Sequence, residues 1–236
     1  MPSWEFPGQD PIDLRVRIPA GDIAVSAAAT QTTTVALDGS DRTLAATRVE
    51  FEDGTLSVIV PDQSGLFNDG SVDVVVELPE GSSCRVHTAS ADLRCTGELA
   101  ALDVHTASGD VSAERVSGHA GVDTASGDVS LGTAGEAEVE SASGDVRIGQ
   151  VSGGVTVRTA SGDVQIEAAS GHRTDVNAAS GDISVGVVPG IGVYLELSSL
   201  SGTVSSELEP GEETGGTDMT LQCRTISGDV RVRRAA

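Results

Sequence analysis

Residues 106–111 read Thr-Ala-Ser-Gly-Asp-Val, and copies of this six-residue phrase recur along the chain and decide its fold. A phrase that returns at nearly constant spacing indicates stacked structural units rather than one irregular globule. Most neighbouring copies are 17 to 19 residues apart, and the last two steps are longer. The serines of the eight copies are Ser90, Ser108, Ser126, Ser143, Ser161, Ser180, Ser201 and Ser227.

The residues that flank each phrase alternate between apolar and polar, as in Val129-Ser130-Leu131 and Val146-Arg147-Ile148. Alternation with period two is typical of half-buried β-strands. A Ser-Gly pair in mid-unit, such as Ser117-Gly118, divides the unit into two short strands. Such strands bury too little apolar surface alone, so each unit must pack on its neighbours. The sequence therefore predicts an all-β, right-handed parallel β-solenoid with about 18 residues per coil, right-handed being the usual sense of parallel crossovers.

Residues 1–83 contain longer strands than the repeat and carry Trp4 and Phe51, two of the few aromatic side chains. Two of these strands form a predicted hairpin around Asp53-Gly54. Because an open solenoid end invites polymerisation, we expect this region to be a β-rich cap with the first irregular coils. Residues 84–236 are the regular repeats, with an acidic loop near 205–218, and together the two parts make one continuous domain.

The charge and composition of the 236 residues exclude several classes of partner. With 36 acidic and 14 basic residues the formal net charge is −22, which opposes binding to nucleic acid or to an anionic membrane. The start, Met1-Pro2-Ser3-Trp4-Glu5, lacks the basic and apolar regions of a signal peptide, and no apolar run is long enough to span a membrane. These features predict a cytoplasmic protein with no membrane or nucleic-acid partner.

The glycine of each phrase is predicted to occupy a tight turn, because glycine accepts the positive φ that such a turn requires. These structural turn residues are Gly109, Gly127, Gly144, Gly162, Gly181 and Gly228.

The aspartate that follows each glycine forms the most distinctive chemical column. Asp110, Asp128, Asp145 and Asp163 are candidate calcium ligands, because stacked carboxylates repel one another and a cation would relieve that repulsion. Calcium-binding repeats of similar length, however, require Gly-Gly-x-Gly-x-Asp in both halves of the unit. We therefore favour a structural role, in which each carboxylate accepts N–H groups within its own turn, and expect no metal or other cofactor.

A column of two histidines and an aspartate is a further candidate site. His87, His105 and Asp123 follow one another on successive units and suggest zinc, but a linear column suits a tetrahedral ion poorly, so a polar ladder with a Glu140–Arg158 pair is favoured. The threonines of the phrase should point inward or line the corner.

Cys84, Cys95 and Cys223 occupy inward positions and are expected to be reduced core residues, since sheets about 10 Å apart hold most facing cysteines out of disulfide range.

The ordered series of phrases resembles the DUF4097 family of bacterial β-strand-repeat proteins, often described as adhesins. The resemblance also includes residues 19–25 (PAGDIAV), 71–82 (SVDVVVELPEGS) and 224–234 (RTISGDVRVRR). It implies a right-handed β-solenoid with no established enzymatic activity.

We therefore expect a non-catalytic scaffold or protein-interaction module and not an enzyme. Its partner would be another protein or a second copy of the chain. The alternatives are an adhesin at the cell surface, a calcium-binding repeat protein and a self-assembling filament. The outward columns expected to meet a partner include Arg94, Ser112, Ser130, Arg147, Gln165 and Ser184.

Overall fold

The computed structural model of the chain describes residues 1–8, 10–61, 71–208 and 218–235. Their strands form one long sheet that does not close, and within these residues there is one short helix. The all-β prediction is therefore confirmed. No helix of the described residues is both long and apolar enough to cross a bilayer.

The central strands stack in parallel, and each unit, here called a rung, lies directly on the next. Val129 pairs with Val111 on one side and with Val146 on the other, so like residues stand in columns. The central strands are β7 (Ser83–Leu99), β8 (Ala101–Ser108), β9 (Val111–Ser126), β10 (Val129–Ser143), β11 (Val146–Val151), β12 (Val155–Ser161), β13 (Val164–Ala169), β14 (Arg173–Ser180) and β15 (Ile183–Val187).

The core is the space between the stacked strands, filled by columns of aliphatic side chains. Val139, Val157 and Ile166 are fully buried. The residues immediately before and after each of them on its own strand face outward. Cys84, Cys95 and Cys223 are buried and free, as predicted. A hydrogen bond with Cys84, together with burial, raises the pKa of the Cys95 thiol, and burial raises the pKa of Cys223 to about 12.

At the N-terminal end the rungs do not follow sequence order. Strand β2 (Asp13–Ala28) pairs with β7 on one side and with β5 (Thr55–Ile59) and β6 (Val72–Pro79) on the other, all in parallel. The boundary predicted between residues 83 and 84 stays a prediction. Strand β2 of the predicted cap pairs directly with β7 of the predicted repeats.

Three antiparallel strands complete this end. Strand β1 (Ser3–Pro7) pairs with β3 (Thr32–Gly39), β3 with β6, and β4 (Arg48–Glu52) with β5. The predicted hairpin is β4–β5, and its turn residues Asp53 and Gly54 both have positive φ, as the favoured two-residue turn requires. Helix α1 (Asp41–Ala46) was not predicted; Ser40 caps it by accepting the N–H of Thr43.

The C-terminal end corrects the predicted order of stacking. The last strands, β18 (Met219–Ser227) and β19 (Val230–Arg234), lie between β14–β15 and the earlier pair β16 (Val193–Ser201) and β17 (Val204–Ser206). Stacking in chain order predicts residues 219–232 as the last rung, with Arg231, Arg233 and Arg234 on the terminal edge. This prediction is wrong, because β16–β17 form the terminal rung. Most of the predicted acidic loop, residues 209–217, lies outside the described residues.

We predict that Gly144→Ala destabilises the fold by about 2 to 4 kcal/mol, because left-handed backbone is unfavourable for alanine and a clash is added. Gly144 has a φ of 124°, and a Cβ there would lie 2.1 Å from the carbonyl oxygen of Gly127 on the next rung. Urea unfolding measures the difference.

Gly154→Ala is the matched control, since a Cβ at Gly154 meets no heavy atom within 4 Å. It should change the free energy of unfolding by less than about 1 kcal/mol. Equal losses in the two variants would contradict the turn role.

Candidate functional site

An exposed apolar column, here called the apolar stripe, runs along one corner of the stack. It is formed by the residue before the serine of each phrase, and the strand registers place its members side by side. In spatial order the stripe is Pro19, Ala89, Ala107, Ala125, Ala142, Ala160, Ala179, Ile226 and Leu200.

The inserted C-terminal rungs extend this stripe and enlarge its side chains. Ile226 follows Ala179 in space and is 57% exposed, and Leu200 follows Ile226 and is 83% exposed. The other outward columns of the rungs carry mainly polar residues. A stripe that remains apolar on nine successive rungs is thus unusual for a surface exposed to water.

Most of the stripe is the floor of a groove with a volume of about 1200 Å³. The groove extends from Ile59–Pro61 at the cap to Ala179, over eight rungs. With rungs about 4.8 Å apart, it is about 34 Å long.

The threonines explain why the alanines are exposed. Thr106, Thr124 and Thr159 are at most 7% exposed, so they point inward as predicted. The hydroxyls of Thr106 and Thr159 donate to the carbonyls of Ser108 and Ser161 at 3.0 and 3.1 Å. Each bond joins the two residues on either side of the alanine and holds the corner in a tight turn. The methyl group of the alanine therefore faces the groove.

A polar column borders the groove. The rings of His87 and His105 stack with centroids 4.9 Å apart, and His105 lies 3.3 Å from Asp103 and 3.5 Å from Asp123. The predicted pair of Glu140 and Arg158 is formed. Within the described ranges, no group of three His, Cys, Asp or Glu side chains is arranged to hold a metal ion.

The electrostatic environment at one end of this column favours neutral imidazole. Partial burial lowers the pKa of His87 from its ordinary value of 6.5, and the nearby His105 and Arg17 lower it further. Asp103 opposes this shift without reversing it.

The aspartates Asp110, Asp128, Asp145 and Asp163 lie on successive rungs outside the groove. Each carboxylate accepts the backbone N–H of the aspartate on the next rung, as Asp110 does from Asp128 at 2.9 Å and Asp163 from Asp182 at 2.8 Å. The bond therefore joins two rungs, whereas we predicted a bond within one turn. Calcium binding by this column stays a prediction.

The glycines predicted as turn residues all have positive φ, and at each of them a Cβ would overlap a backbone carbonyl of the adjacent rung. They are Gly109, Gly127, Gly144, Gly162, Gly181 and Gly228.

The sequence contained a signal for the groove that we did not use. The position before the serine is alanine in most copies of the phrase and is Leu200 and Ile226 in two loose copies, so it is apolar throughout. The outward columns that include Arg94, Ser130 and Gln165 are exposed as expected, but they lie on another face and do not line the groove.

The family model described as Toastrack DUF4097 matches residues 11–233, and the chain therefore belongs to that family. No curated protein matches the chain significantly in sequence. The fold and the repeat thus place the protein among β-solenoid-like proteins.

Solved structures are similar to this chain at low sequence identity. A candidate adhesin from Bacteroides fragilis has a TM-score of 0.62 and 15% identity, and the match covers 98% of this chain and 95% of that one. A candidate lipid-binding protein from Parabacteroides distasonis has a TM-score of 0.48, 13% identity and coverage of 100% and 96%. A candidate adhesin from the same species has a TM-score of 0.38, 14% identity and coverage of 98% and 96%.

One of these neighbours corrects a prediction. The chain was expected to be cytoplasmic, and this is contradicted by the structural neighbour with a TM-score of 0.62, which is described as an adhesin. The prediction rested on the composition of the first residues and on the lack of an apolar run. Neither the composition of the first residues nor the lack of an apolar run indicates which molecules the surface of the folded protein contacts.

We predict that Asp163→Ala lowers the free energy of unfolding by about 1 kcal/mol, because the N–H of Asp182 loses its acceptor. Asp163→Asn keeps an acceptor oxygen and should stay within about 0.5 kcal/mol of the parent. Urea unfolding distinguishes the two variants, and equal losses would contradict the bond between rungs.

The calcium-binding role of this column requires that Ca²⁺ raises the melting temperature of the parent protein and raises it less in Asp163→Asn. Melting curves recorded with and without Ca²⁺ test this role.

We predict that His105→Gln raises the pKa of His87 towards 6.5, because the electrostatic influence of His105, which lowers that pKa, is removed. A pKa that is lower in the folded chain than in the unfolded one means that unfolding takes up protons, so stability falls as pH drops through about 6.5. This loss should be smaller in the variant. NMR titration of the His87 ring measures the pKa, and an unchanged value would show that His105 has no influence.

Proposed function

We propose that this chain is a non-catalytic recognition module of the cell surface, and that it holds an extended, weakly charged polypeptide in the groove. The single observation that carries the proposal is the apolar stripe, which stays exposed along the floor of the groove. The proposal includes right-handed winding with about 18 residues per coil, supported by registers such as Val111 with Val129.

The dimensions of the groove suit one extended chain. A volume of about 1200 Å³ over about 34 Å corresponds to a cross-section of about 35 Å². A β-strand in a protein occupies about 4.8 Å by 10 Å, or about 48 Å², so one extended chain would fill the groove and project from its open side. At about 3.3 Å per residue, about ten residues of extended chain match the length of the groove.

The charge of the groove suits a weakly charged partner. Its lining contains Arg17 and Arg158 against Asp123 and Glu140, which sum to zero with neutral histidines, in a chain of net charge −22. The surrounding acidic surface would repel a polyanion, and the groove itself offers no excess of carboxylates to a polycation. Small apolar side chains would pack on the alanine methyl groups.

The comparisons support a recognition role over an enzymatic one. The neighbour with a TM-score of 0.62 is described as an adhesin, and neither its description nor that of the family model names an enzyme.

We predict that Ala125→Trp weakens binding to extended peptides at least tenfold, because the indole ring fills the middle of the groove. The probe is an array of ten-residue peptides of varied sequence, incubated with labelled protein, and the peptides retained by the parent protein are measured again in solution. Ser130→Trp, on an exposed face outside the groove, is the matched control and should bind as the parent does.

Retention of no peptide, or equal binding by Ala125→Trp and the parent, would contradict the proposal. A parallel glycan array separates two sources of failure. Glycan binding that Ala125→Trp abolishes would keep the groove as the site and overturn the polypeptide as its occupant.

A further inference from the structure

The terminal rung β16–β17 has a free edge. Strand β16 pairs with β18, and β17 pairs with β19, but among the described residues no strand pairs with the other side of either. Such an edge presents a row of N–H and C=O groups without strand partners, which is a template for another strand.

The apolar core is also uncovered at this end. In β16 the inward residues Val193, Leu195 and Leu197 are only half-buried. Their partners in β18, which are Met219, Leu221 and Cys223, are at most 1% exposed. Among the residues that the structure describes, the last core layer therefore lacks the neighbouring strand that every interior layer has.

Exposed apolar residues surround this open layer. Tyr194 is 54% exposed, Val204 is 43% exposed and Leu200 is 83% exposed. Exposed apolar side chains on the end of a solenoid indicate an interaction site, since a soluble solenoid normally covers both ends.

The opposite end is covered. There Trp4 and Phe6 of β1, with Val49 and Phe51 of β4, pack against the core. The rings of Phe6 and Phe51 stack with centroids 5.1 Å apart. The two ends of the molecule thus differ in their capacity to accept another rung.

The charge distribution favours end-to-end contact. Residues 1–187 carry 29 acidic and 10 basic side chains, whereas residues 188–236 carry seven acidic and four basic side chains. Two copies that approach side by side bring strongly acidic faces together within a Debye length of about 8 Å. Two copies that meet at the β16–β17 ends bring together the part of the chain with the smaller net charge, −3 in residues 188–236 against −19 in residues 1–187.

We propose that the partner of this edge is a second copy of the chain, joined through β16 and β17 in a two-fold symmetric dimer. Antiparallel pairing makes an edge strand complementary to itself, and the two open core layers close each other. The covered N-terminal ends then face outward, so assembly stops at two copies and does not continue into a filament. This proposal does not depend on what the groove binds.

Sedimentation equilibrium over a wide concentration range tests the dimer. We expect a monomer–dimer equilibrium whose dissociation constant rises at least 100-fold in Leu197→Lys, because a charge enters the open core layer. The control is Val75→Lys, since Val75 is 54% exposed and belongs to β6 at the other end of the stack. It should dimerise as the parent does, and melting curves check that both variants fold.

Hydrogen exchange locates the contact in the unmodified protein and keeps the test valid if Leu197→Lys does not fold. Amides in residues 193–206 should become more protected as the concentration rises, while those of β1 and β4 do not change. A monomer at every concentration would overturn the proposal. So would a dimer without added protection in 193–206, or assemblies that grow beyond two copies.

Discussion

Parallel, in-register stacking of short strands is the constraint on which the rest of this structure depends. No rung has enough apolar surface or enough internal hydrogen bonds to be stable alone, so each one completes both on its neighbours. Residues at equivalent positions are then forced into columns about 4.8 Å apart, and any property of one position is multiplied along the stack. A methyl group at one corner becomes an apolar stripe, and a carboxylate at one turn becomes a ladder of bonds between rungs.

The features that a single rung determines were predictable from the sequence. Alternation around Val129-Ser130-Leu131 predicted the strands, Asp53-Gly54 predicted the hairpin, and parity placed Thr106 and Thr159 inward. The features that depend on which rung lies beside which were not. Repeated phrases pack on one another almost equally well in any order, so local pattern alone did not show that β18–β19 would enter between β14–β15 and β16–β17. The acceptor role of Asp182 towards Asp229 and the continuation of the stripe into Ile226 both follow from that neighbourhood.

The order of the terminal rungs also links the two proposed surfaces. Because the chain turns back, its last residues are enclosed, and an earlier segment forms the free edge. The same arrangement places Ile226 and Leu200 at the end of the stripe, next to the open core layer. The groove along the side and the edge at the end therefore serve different contacts. One suits an extended chain that crosses many rungs, and the other suits a strand that adds to the stack.

The most direct measurement of this stacking is a set of distances between spin labels on one outward column. Arg94, Gln165, Arg231 and Ser205 occupy that column on the first, fifth, seventh and eighth of its rungs. At about 4.8 Å per rung, pulsed electron resonance should give about 19 Å from 94 to 165, about 29 Å from 94 to 231 and about 34 Å from 94 to 205. A shorter distance to 205 than to 231, or distances that do not grow with the number of rungs, would contradict the stacking described here.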